Sequence, residues 1–160
     1  INAGTVLEYK FTLYDKEGAI LAEKNGTTKL YAKETIPVAV NSMMVGKLSP
    51  VKVSFEITNI LSWAVDKQRD NKIVILEEKQ FSEINQTTVT AKIMNVGIEK
   101  IIKATVYTIL YDRDDNAIGV SSTYVEKIDP NESKDIYFTW PKDYAGESVR
   151  FEVIPVYESN

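Results

Sequence analysis

The sequence predicts an all-β chain of sandwich type, and three observations carry that prediction. Val, Ile and Thr make up 46 of the 160 residues, and branching at Cβ stiffens χ1 and favours strands. Apolar residues alternate with period two in several stretches, whereas no stretch of ten or more residues shows a convincing period of 3.6. Turn residues recur at short intervals between those stretches, as in a protein of many short antiparallel strands. The composition is that of a globular protein, with 44% hydrophobic and 26% charged residues. With 19 basic against 23 acidic side chains the net charge is −4, so no cationic surplus awaits a nucleic acid. No apolar run is long enough to insert directly into a membrane. Cys and His are both absent, which excludes disulfides, thiolates and imidazole-based catalysis or metal ligation.

The elements follow from that alternation. Residues 72–81 and 86–95 read as two strands, the second with Val89, Ala91 and Ile93 on one face. Residues 103–111 give the clearest strand, with Ala104, Val106, Thr108 and Leu110 on one face and Thr105, Tyr107, Ile109 and Tyr111 on the other. Residues 149–153 place Val149, Phe151 and Val153 inward, with Arg150 and Glu152 outward. A turn at residues 15–18 has Gly18 for the left-handed position that closes a hairpin. Residues 112–116 repeat that turn, with Asn116 expected in the glycine's place. Asp129-Pro130-Asn131-Glu132 is a further turn, and Pro141 and Pro155 point to strand ends or edges.

The chain also repeats itself. Leu13-Tyr14-Asp15 recurs as Leu110-Tyr111-Asp112 at a separation of 97, and Ala19-Ile20 as Ala117-Ile118 at 98. Val53, Phe55, Glu56 and Ile57 correspond to Val149, Phe151, Glu152 and Val153 at 96. One sandwich unit used twice explains three matches in the same order, with domains at 1–66 and 67–160. The first copy lacks a counterpart of its N-terminal strands, about twenty residues, which would bare its core and an edge. The expectation is that this chain is part of a longer protein whose other domains are its partners. Otherwise a strand-donating protein segment completes the first unit.

Phe11-Thr12-Leu13-Tyr14-Asp15 resembles the signature of the FxLYD family of immunoglobulin-like domains. The second copy keeps Leu110-Tyr111-Asp112 but has Thr108 at the Phe position. Gly119 to Tyr124, Asp129 to Ser133 and Phe138-Thr139-Trp140 are similar to that family as well; the likeness covers residues 72–156 well and 6–60 more loosely. It implies two tandem immunoglobulin-like β-sandwiches in a secreted or envelope-anchored protein of a bacterium or archaeon, with a motif that is structural rather than chemical. The motif residues are Phe11, Leu13, Tyr14, Asp15, Leu110, Tyr111 and Asp112. Both tyrosines are expected to lay a ring against the core and send the hydroxyl to a loop carbonyl. Both aspartates are expected to accept from an N–H two residues on and so pin the turn.

Few residues suggest chemistry. Asp112, Asp114 and Asn116 alternate as oxygen ligands for calcium would, but no Gly or Glu completes the loop and Arg113 adds positive charge. Asp66, Asp70 and Asn71 form a lesser acidic group in the connector. Three N-x-[ST] sequons, at Asn25, Asn85 and Asn131, are expected in loops. No pair of carboxylates and no Gly-rich phosphate loop points to catalysis or to a cofactor. A non-catalytic structural or spacer module is the leading expectation. The alternative is an adhesion or binding module that recognises a protein strand or glycan through an edge strand or loop aromatics. A spacer should bury Trp63, near the junction, and Trp140, the better surface candidate; a binding module should show a contiguous apolar patch.

Overall fold

The computed structural model describes residues 2–31, 35–40, 43–66, 72–83, 85–144 and 146–157. The chain is all-β, with nine strands in three antiparallel three-stranded sheets among the described residues, and it divides into two compact units, residues 1–69 and 70–160. The first unit holds β1 (Asn2–Tyr14), β2 (Ile20–Tyr31) and β3 (Lys52–Asp66) in the order β2-β1-β3. The second holds β4 (Ile73–Glu83), β5 (Gln86–Asn95), β6 (Ile101–Tyr111), β7 (Ala117–Ile128), β8 (Ser133–Trp140) and β9 (Arg150–Tyr157). Its sheets run β4-β5-β8 and β7-β6-β9.

The second unit is a β-sandwich whose core comes from alternate positions of both sheets. β5 sends in Val89, Ala91 and Ile93, β6 Ala104, Val106 and Leu110, and β8 Ile136, Phe138 and Trp140. Each buried Val, Leu, Ile or Phe among them contributes roughly 1.5–3 kcal/mol by leaving water. Their sequence neighbours Thr88, Thr105, Tyr137 and Thr139 point away, because successive side chains of a strand face opposite sides. β9 enters the core with Val153 and Tyr157, while Phe151 is only partly buried and Val149, expected inward, lies before the strand and is exposed. Pro155 falls on β9, an edge strand.

Thr108 occupies an inward position, and its Oγ1 is buried with no hydrogen-bond partner among the described residues. A desolvated hydroxyl without a partner costs free energy that an isosteric methyl does not. Thr108→Val is therefore expected to stabilise the second unit by about 1 kcal/mol, read as a higher urea midpoint at unchanged m-value.

Candidate functional site

The FxLYD-like stretch builds the same clasp in both units. Asp15 Oδ1 accepts from the backbone N–H of Glu17 and of Ala19, both at 2.8 Å. Asp112 Oδ1 accepts in the same way from Asp114 and Asn116, both at 2.9 Å. The left-handed residue is Gly18 (φ 84°) in one turn and Asp115 (φ 62°) in the other, so Asp115, not Asn116, stands in the glycine's place. The turns have equal length, because Tyr14 pairs with Ile20 and Tyr111 with Ala117. Leu13 pairs with Val53 and Leu110 with Phe151. Val53 is thus the counterpart of Phe151, not of Val149.

Tyr14 and Tyr111 do not lie against the core. Leu13 and Leu110 take the apolar side, so strand alternation turns each tyrosine to the polar side. There it meets a cation from the third strand: Lys52 Nζ sits 5.5 Å from the Tyr14 ring centre, and the Arg150 guanidinium 3.8 Å from that of Tyr111. The Tyr14 hydroxyl lies 3.3 Å from Ser54 Oγ, and the Tyr111 hydroxyl donates to Glu152 Oε2 at 3.1 Å. Arg150 also donates to Asp115 Oδ1 at 2.8 Å through Nη2, and pairs with Glu152 through Nη1. Burial first, and then the Glu152 hydrogen bond, push the Tyr111 hydroxyl above the ordinary tyrosine range.

The same contacts occupy two of the three calcium candidates, Asp112 and Asn116. Both carboxylate oxygens of Asp112 accept from N–H groups, and Asn116 presents its Nδ2 to them at 3.1 and 3.3 Å. Asp115 serves Arg150. Among the described residues no group of three acidic side chains is placed to hold a metal. The side chains of Trp63 and Asp66, together with Asp70 and Asn71, lie outside the described residues. Asn85 and Asn131 sit in the β4–β5 and β7–β8 connections with positive φ. Asn25 is not in a loop: it lies within β2, exposed and paired with Lys10. The next residue, Gly26, does not turn the chain but leaves room for the Tyr9 ring, which a Cβ there would meet at 2.4 Å.

The Asn116 side-chain amide and the two turn N–H groups hold the Asp112 carboxyl below its ordinary range, and Lys134 with the Asp129 N–H does the same for Glu132. Groups whose folded pKa is depressed stabilise the fold above their ordinary pKa and lose that effect as pH falls through the folded value. Stability of the second unit is thus expected to decline below about pH 4. In Asp112→Asn, urea midpoints measured between pH 7 and pH 3 should fall less steeply than in the parent.

Asn95, which sequence reading passed over, ties one end of the second unit. It is fully buried, and its Nδ2 donates to the carbonyls of Glu99 at 2.8 Å and Ile128 at 3.1 Å, while Oδ1 accepts from Gly97 N–H at 2.9 Å. Its backbone N–H donates to Glu132 O, and its carbonyl accepts from Asn131 N–H. The signal was present, since Asn95 shares the inward phase of Val89, Ala91 and Ile93.

The first unit shows an open apolar face. Leu7, Tyr9, Phe11 and Leu13 share one side of β1, opposite Val53, Phe55 and Ile57 of β3. Tyr9, Phe11 and Phe55 form a ring cluster with centroids 5.0 to 5.8 Å apart. Val53, Phe55 and Ile57 remain 58, 49 and 50% exposed. Ile36 and Val38 reach over one end, closing with Leu7, Tyr9, Leu30 and Phe55 a pocket of about 170 Å³. In the second unit, by contrast, Trp140 is 7% exposed, with its Nε1 donating to Val120 O at 3.2 Å.

Residues 68–159 match the model of the CARDB family, whose domains are of immunoglobulin-like, β-sandwich type and occur in extracellular or envelope proteins. No curated protein matches the chain. Among the described residues no helix is long and apolar enough to cross a membrane.

Proposed function

This chain belongs to the CARDB family, and on that premise we propose that it is a non-catalytic structural module of a secreted or cell-envelope protein. The carrying observation is the closed core of the second unit, from Ile73 to Tyr157, with Trp140 inside it and both hairpin ends tied by side-chain hydrogen bonds. Such a unit transmits load as one cooperative body. The Phe11 to Asp15 motif supports a closer kinship with FxLYD modules of bacterial or archaeal envelopes, and its Asp15 turn is the same clasp as that of Asp112. The test is force spectroscopy on the full chain with one cysteine added at each terminus, which is simple because the chain has none of its own. The second unit should open in a single abrupt step, releasing roughly 300 Å of contour length at about 3.4 Å per residue. Gradual extension with no such step would refute the spacer reading.

A second reading, a binding module, is favoured by one observation in the first unit. Among its exposed apolars, Val53, Phe55 and Ile57 line up on one face of β3 beside the half-buried Phe11 and Leu13 of β1.

A further inference from the structure

The two units answer the question of what belongs on the open face. In the second unit, Ala104, Val106, Thr108 and Leu110 of β6 are fully buried beneath the β4-β5-β8 sheet. Register makes Leu7, Tyr9, Phe11 and Leu13 of β1 their counterparts, with Val53 and Phe55 matching Phe151 and Val153. The same face is therefore roofed in one unit and open in the other. One piece of the roof is already present. Ile36, Val38 and Val40 alternate as Ile136, Phe138 and Trp140 do on β8, and they follow β2 as β8 follows β7. Residues 35–40 nevertheless form no strand, whereas β8 is held by its ladder to β5. Pro37 suits such a strand only at a sheet edge, which is where β8 lies.

We infer that the open face of the first unit is a receptor for a β-hairpin from another polypeptide segment, with the apolar alternation of β4–β5. It covers Phe11, Leu13, Val53 and Phe55 and pairs its second strand with residues 35–40. The inference rests on the binding reading above and names the occupant. A second copy of the three-stranded sheet fits less well, because Ile36 and Val38 already share a pocket with Leu7 and Tyr9, and residues 35–40 stand in for one of the three strands that roof the second unit. The inward residues of β1 are also larger than those of β6, so the hairpin must bring small β-branched or alanine side chains, as Val89 and Ala91 do on β5.

The probe is a synthetic peptide with the sequence of residues 72–95, offered to the full chain. Titration calorimetry should show one peptide per chain, and hydrogen exchange should slow at the amides of residues 36 and 38–40. Phe55→Lys, a change at a half-exposed position, should weaken binding at least tenfold without altering exchange in β5 or β6. If the peptide does not bind and light scattering finds a dimer that Phe55→Lys returns to monomer, the hairpin is wrong and a second copy is the ligand. If the peptide does not bind and the chain is monomeric, the binding reading falls with the hairpin. Faster exchange on β8 with no protection of 36–40 would mean that the peptide invades the second unit, which also overturns the inference.

Discussion

Asn95→Ala is expected to lower the stability of the second unit by about 3 kcal/mol. The substitution removes a side chain that is fully buried and strands three backbone groups at once, Gly97 N–H and the carbonyls of Glu99 and Ile128. A buried group left without its partner costs roughly 1–3 kcal/mol. The Ile128 carbonyl bears most of this, since its bond is the buried one, whereas water can reach the region of Glu99. For a unit of this size the midpoint of thermal unfolding should drop by roughly 15 °C. Asn95→Asp separates the hydrogen bonds from the volume of the side chain. It keeps the acceptor for Gly97 but sets a carboxylate against two carbonyl oxygens, so it should be at least as destabilising at neutral pH and recover partly in acid. A loss below 1 kcal/mol for the alanine variant would show that the loops hold without this hub.

Trp140→Ala should cost the second unit roughly 3–5 kcal/mol through the cavity it leaves. The indole is 7% exposed, stacks edge-on to Tyr144 at 6.4 Å and donates to Val120 O. Gly119 lies against this seat, and a Cβ there would sit a tight 3.3 Å from both Trp140 Nε1 and Leu110 Cδ1. Trp140→Phe keeps much of the volume and forfeits the hydrogen bond, so it should fall between the parent and the alanine variant. Chemical denaturation followed by far-ultraviolet circular dichroism measures both variants. If the alanine variant stayed within 1 kcal/mol of the parent, the ring would not belong to the core.

The strands β4, β5, β6 and β9 and the inward set of β5 were legible because period-two alternation is a direct record of which face meets water, whereas β6, apolar on both faces, left its inward set open. The orientation of Tyr111 was legible too, since its parity opposes that of Leu110; the expectation of a core ring set the habit of aromatic residues above that parity. Asn25-Gly26 carries the letters of a turn, yet it is strand, because the glycine answers a ring across the ladder, and cross-strand neighbours are invisible to local reading. The left-handed residue Asp115 was misplaced by one position for a related reason: Asn and Asp both tolerate positive φ, and register alone decides between them. Arg150 was read as a plain outward charge and Lys52 was not singled out, although each is the ladder partner of its tyrosine. Trp140, expected buried in a spacer but the better surface candidate beside Pro141, alternates with Ile136 and Phe138 and lies inward. What residues 35–40 do in the first unit depends on a ladder partner, which local sequence does not specify.

The clasp has a kinetic meaning as well. The β6–β7 hairpin closes over a turn of a few residues, and such hairpins form within microseconds. Arg150 and Glu152 arrive from much farther along the chain, 35 residues beyond Asp115 and 41 beyond Tyr111. Closing that longer loop costs chain entropy before any contact offsets it. The Tyr111–Arg150–Glu152 contacts, unlike the local Asp112 turn, are therefore expected on the late side of the folding barrier, where an interaction slows departure from the native state more than it speeds arrival. Tyr111 and Arg150 act as a latch on β9, and their expected contribution is the lifetime of the native state rather than the speed of assembly.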